Sequence, residues 1–160
     1  MSDPIEILER RLISVRDQEQ EPSGLHFFCQ IGGRNDELGI ITLQVSGQGR
    51  LLLSWRQDED ESELWSLQLL DEDCRKLAAL FLEYPFWNAS VPRRPRKGQE
   101  TNFHLRICDH EAGNYNGVQF WSGDMDDFPV LRDLMRRLGR LIRKVSGDEI
   151  SWNELRKLSA

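Results

Sequence analysis

No apolar run in this chain approaches the roughly 18 residues that a membrane-spanning helix needs, the longest stretches being broken by Ser, Gln or charge. A membrane partner is therefore not expected. Cysteine is scarce: Cys29, Cys74 and Cys108 are an odd number, far apart, and each lies in an apolar-periodic segment. That usage excludes a disulfide-stapled scaffold and suits buried thiols in a reducing compartment. The first residues, MSDPIEILERR, lack the basic start and apolar stretch of a signal peptide, so the expected location is the cytoplasm. A basic surplus is missing too, with 21 Lys/Arg against 27 Asp/Glu and a formal charge of −6. Phosphate attraction needs a basic surface, so general nucleic-acid binding is disfavoured.

What is present is a foldable composition. Of 160 residues, 39% are hydrophobic and 30% charged, which is too apolar for a disordered chain and long enough for one core. Charge is segregated: residues 1–90 hold 8 Lys/Arg and 17 Asp/Glu, whereas 91–160 hold 13 and 10.

Hydrophobic periodicity sets the expected elements. Pro4, with Ser2 or Asp3 as cap, opens a helix carrying Ile5, Leu8 and Leu12, while 13–16 reads equally well as helix or strand. From Leu25 to Leu69 the period becomes two, in LHFFCQI, LGIITLQV, RLLLSWR and ELWSLQL. The short polar connections between these runs imply an antiparallel meander of about four strands. Asp71 is the expected cap of a helix that carries Leu77, Ala78, Phe81 and Tyr84 up to Pro85. A second hairpin alternates Phe103, Leu105 and Ile107 with His104, Arg106 and Cys108. The strongest amphipathic pattern then runs from Leu131 to Val145 and ends at Ser146-Gly147. The predicted fold class is α+β: the meander and hairpin form one antiparallel sheet with helices packed on one face. Residues 1–147 form the expected single domain. Residues 148–160 form a short helical appendage, because Ser151 and Glu154 have capping-box spacing ahead of Trp152, Leu155 and Leu158.

Chemistry-bearing clusters are sparse. His104, Cys108 and His110 share one side of a strand, but His104 and Cys108 lie about 13 Å apart along it, so only Cys108 and His110 are close enough for one zinc ion. The same pair is the best candidate for a thiol-dependent or hydrolytic enzyme, with Asp109 or Glu111 orienting His110, although no nucleophile elbow or oxyanion loop accompanies it. Asp124, Asp126 and Asp127 miss the calcium-loop pattern and serve as helix-start acids, and the glycine pairs lack a phosphate-loop context. No cofactor and no metal are expected, and no catalytic residue is assigned.

Recognition surfaces stand out more. Arg93, Arg94, Arg96 and Lys97 sit between prolines in a long connection, and Arg132, Arg136, Arg140 and Arg143 form a helix stripe with Asp133 set to pair Arg137. If loop and last long helix converge, phosphate or nucleic-acid binding is the alternative reading. Asp58, Glu59, Asp60 and Glu61 make an acidic turn. Trp152, Leu155 and Leu158 make an apolar edge that must be buried somewhere. The expected function is a non-catalytic protein-binding module of adaptor, immunity or chaperone type, whose partner is another protein engaged through these charged loops and the apolar terminal segment.

Overall fold

The computed structural model describes residues 3–33, 39–57 and 61–150. Among them the chain order is α1 (Pro4–Arg16), β1 (Leu25–Gly32), β2 (Ile40–Ser46), β3 (Arg50–Arg56), β4 (Ser62–Gln68), α2 (Asp71–Glu83), β5 (Asn102–Asp109), β6 (Asn114–Trp121) and α3 (Pro129–Ser146), with one-turn 3-10 segments at Phe86–Asn88 and Ser122–Asp126. The six strands form one antiparallel sheet in the order β4-β3-β2-β1-β5-β6. β1 is thus central, pairing β2 on one side and β5 on the other, and the expected α+β fold is present.

Period-two burial follows from the sheet's pleat. Phe27, Cys29 and Ile31 of β1 lie beside Ile41, Leu43 and Val45 of β2, and beside Phe103, Leu105 and Ile107 of β5, all on the core side. The helices cover that side with Leu8, Leu12 and Val15 of α1, Ala78 and Phe81 of α2, and Leu134, Leu138 and Ile142 of α3. The alternate positions, including Phe28, Leu52, Leu64 and Trp121, belong to the opposite face.

Local chemistry fixes the helix limits. The Asp3 carboxylate accepts the Ile5 N–H at 2.9 Å, and α1 runs to Arg16, so the ambiguous stretch 13–16 is helix and buries Val15. α2 begins one residue before expectation: Leu70 is its cap position and Asp73 accepts the Leu70 N–H at 3.1 Å, leaving Asp71 inside the first turn, where the helix dipole favours its charge. Gly147 closes α3 in the left-handed conformation at φ 61°. Beyond it Ile150 is only 1% exposed and joins the core.

The long connection after α2 is tied down at its start. Phe86 and Trp87 are buried, and Trp87 Nε1 donates to Glu9 of α1 at 3.0 Å. At the β2–β3 turn, a Cβ on Gly47 would come within 1.8 Å of the Pro22 carbonyl oxygen, so only glycine lets these two segments touch.

Candidate recognition surface

The basic connection is internally braced. Arg94 donates from both terminal nitrogens to the two oxygens of Glu100, at 2.7 and 2.6 Å, and from Nε to Asp124 at 3.0 Å. Its carbonyl accepts the Trp121 indole N–H at 3.0 Å. Glu100 also accepts the backbone N–H groups of Lys97 and Gly123, and these donors together with Arg94 hold its carboxyl down to about 2. Arg96 donates to the Glu100 carbonyl at 2.7 Å. Of the four basic residues only Arg93 and Lys97 are exposed. The loop is bound to the 3-10 turn just before α3.

Along α3 the expected pairing of Asp133 with Arg137 is replaced. Asp133 lies 3.5 Å from Arg132 and 4.0 Å from Arg136, which leaves Arg137 to border a groove between α2, α3 and the end of β4. That groove, about 600 Å³, has Leu67 and Leu69 on its strand side, Leu77 and Leu80 on α2, and Leu141 and Val145 on α3. Lys76, Arg137, Arg140 and Lys144 border it together with one carboxylate, Asp73.

The Cys108 and His110 neighbourhood does not assemble a nucleophile. Cys108 is half-buried on the open face of the sheet, and desolvation pushes its thiol up, away from the reactive thiolate. Asp109 points to the opposite side, 2% exposed, with its carboxylate 3.6 Å from Arg11 Nε. Glu111 is engaged by Arg11 at 3.4 Å and by the Ser23 hydroxyl at 3.3 Å. Neither acid orients His110, whose ring instead lies 6.3 Å from that of His26. No group of three or more His, Cys, Asp or Glu among the described residues is arranged to hold a metal ion. Asp124 serves structure, receiving Arg94 and the Trp121 N–H.

The sequence did not single out the open face at the β1–β5–β6 end of the sheet. Arg106 of β5 is the direct cross-strand neighbour of Phe28 on one side and Gly117 on the other. Its guanidinium carbon lies 4.6 Å from the Phe28 ring centroid and 5.5 Å from that of Tyr115. His104 packs edge-on to Phe28 at 5.7 Å. Tyr115 is 58% exposed, and Arg106 Nε is buried with no hydrogen-bond partner among the described residues. His26 and His104 are both shifted down, first by desolvation and then by neighbouring charge: His110 and Arg106 act on His26, Arg106 on His104. This end of the face therefore holds the Arg106 cation between aromatic rings, flanked by imidazoles whose charged form is disfavoured. The available signal was the alternation HFF in β1 against HLRIC in β5, but only the strand order brings Phe28 and Arg106 together.

Of the remaining expected contact residues, Glu61 is exposed just before β4, while Asp58, Glu59, Asp60, Trp152, Leu155 and Leu158 lie outside the described residues. No helix among the described residues is long and apolar enough to cross a membrane. No family model matches this sequence, and no curated protein is significantly similar to it.

Proposed function

We propose that this chain is a non-catalytic protein-binding module, an adaptor, immunity or chaperone type of component working in the cytoplasm, which presents the open face of its sheet to another protein. The observation that carries this reading is the Arg106, Phe28 and Tyr115 cluster. Aromatic residues and arginine dominate binding energy at protein interfaces because they bury large rigid surfaces and offer a polar handle. Here the aromatic rings hold the guanidinium in place before any partner arrives, which lowers the ordering cost of association. The exposed Tyr115 hydroxyl supplies a directional contact to a carboxylate or carbonyl of the partner, and Arg106 supplies fixed positive charge beside it. The exposed Arg93 and Lys97 and the acidic Glu61 supply charge around the module for steering. The terminal Trp152, Leu155 and Leu158 remain part of the proposed contact set.

The test is capture from a native extract with the wild-type chain, Tyr115→Ala and Arg106→Ala side by side. A protein retained by the wild type and lost with both variants, at unchanged melting temperature, is the expected result. Equal retention by all three chains, or none by any, would overturn the reading. Retained nucleic acid with a steep salt dependence would favour the phosphate-binding alternative instead.

A further inference from the structure

We propose that β4 is the site of self-association: two copies of this chain pair β4 with β4, antiparallel, across a twofold axis at Trp65. The two ends of the sheet differ in protection. β6 packs against α1 and both 3-10 segments, whereas the principal contacts of β4 are with β3 alone. Natural edge strands are blunted by charged side chains, above all lysine, by proline, a bulge or shortness. β4, SELWSLQ, has no Lys and no Pro, carries one charge, Glu63, is seven residues long, and keeps an unbroken register with β3 from Ser62 to Gln68. It also carries apolar side chains on both faces: Trp65 packs partly on the core, while Leu64 is 69% and Leu67 45% exposed.

A second copy of the same chain fits this edge better than an arbitrary strand, because the edge is complementary to itself. A twofold axis makes an isologous contact, and full overlap of a seven-residue strand with its own antiparallel copy places Trp65 opposite Trp65. Leu64 then faces Ser66 of the second copy, and the two Leu64 side chains become diagonal neighbours, about 7–8 Å apart, on the open face. On the helix side the same register sets Glu63 beside Leu67 of the other copy and Glu61 beside its Leu69. Leu67 and Leu69 are the strand-side lining of the groove bordered by Lys76, Arg137, Arg140 and Lys144. Each copy thus brings its carboxylates to the cationic margin of the other. Strand overlap alone sets this register, and the opposite charges meet as a consequence.

Sedimentation of the full chain over a concentration series, combined with amide exchange, tests this. The expected result is a concentration-dependent dimer in which the amides of residues 62–68 gain protection as the dimer fills. Glu63→Lys should weaken it at least about tenfold, and Glu63→Lys with Lys144→Glu should recover most of that loss. Leu64→Lys, at a 69% exposed position, should also give monomer with an unchanged circular dichroism spectrum. Should that variant misfold, the exposed Glu63→Lys exchange still decides. A monomer at every concentration, a dimer indifferent to Glu63→Lys, or protection gained elsewhere than β4 would overturn the proposal. None of these outcomes bears on Tyr115 and Arg106, which lie at the other end of the sheet.

Discussion

Arg94 and Glu100 face each other as a two-pronged pair, with both guanidinium terminal nitrogens within 2.7 Å of a carboxylate oxygen. The pair closes a seven-residue turn, 94–100, inside a connection that is also held by Trp87 on Glu9 and by Asp124 and Trp121 on Arg94. Glu100→Gln removes the charge that attracts Arg94, so residues 93–100 should exchange amide hydrogen faster and become sensitive to proteolysis. The carboxyl is held down to about 2 against its usual 4.5. Its contribution is fully present above pH 4.5 and is lost as pH falls from there toward 2. Acid titration of the wild type should therefore loosen the loop in that window, whereas Glu100→Gln should be loose already at pH 7. Equal protease resistance of the two proteins at pH 7 would contradict the bracing.

His26 and His104 set a different pH window. His26 and His104 are both shifted below 6.5 in the folded chain, so the unfolded chain takes up protons first as the medium is acidified. Stability should be level above about pH 7, decline as pH drops through 6.5, and level off once the folded histidines protonate. Replacing both with Gln should flatten that segment of a urea-midpoint profile against pH. A wild-type profile already flat between pH 7 and 5 would show that the open face does not penalise imidazolium.

Much of this architecture was legible because period-two and period-3.6 patterns report burial directly, and here burial follows one sheet and its covering helices. The α3 stripe of Leu131, Leu134, Leu138 and Ile142 is buried as its spacing requires. The Arg106 cluster was not legible, since Phe28 and Arg106 are 78 positions apart and meet only because β5 inserts beside β1. The basic connection misled for a related reason. Its composition announces positive charge, but Glu100 and Asp124 consume Arg94, and Asp124, 30 positions away, becomes a partner only once the β5–β6 hairpin is closed.

Thiol chemistry gives a direct reading of burial. Cys29 is fully enclosed and its thiol is pushed up to about 12, Cys74 is raised by desolvation and by Asp71 and Asp73, and Cys108 is raised by desolvation. Alkylation of the folded protein at neutral pH should label Cys108 slowly, no faster than a free thiol, and Cys29 and Cys74 only after unfolding. Labelling of Cys108 much faster than free cysteine would revive the thiol-enzyme alternative.

Arg11 and Asp109 join α1 to the end of β5 through an ion pair whose members are 10% and 2% exposed. Arg11 also donates to Gln20 at 2.7 Å and to the Ser23 carbonyl at 2.6 Å, so the guanidinium is held from three segments. Asp109→Ala leaves that cation with only the exposed Glu111 carboxylate, 3.4 Å from it, and should cost about 1–3 kcal/mol in denaturant unfolding. Arg11→Met with Asp109→Leu, which removes both charges and keeps the volume, should restore most of the loss. A single Asp109→Ala cost below about 1 kcal/mol would show that water reaches the pair.

The chain after α3 returns to the core at Ile150, three residues past the Gly147 cap, and this changes where the domain must be cut to test its terminal segment. Ile150 is 1% exposed, so a truncation after Gly147 removes a core side chain as well as everything beyond it. Ile150→Ala alone should cost about 2–4 kcal/mol, the transfer of its lost methyl groups plus the cavity they leave. Truncation after Gly147 should destabilise at least as much, and a chain ending at Ile150 should be more stable than one ending at Gly147 by that margin. Comparison of the Ile150-ended chain with the full one then isolates residues 151–160. Loss of captured partner at unchanged urea midpoint would place Trp152, Leu155 and Leu158 in the contact set, and a lower midpoint would place them in the fold. A neutral Ile150→Ala would mean that the core ends with α3 after all.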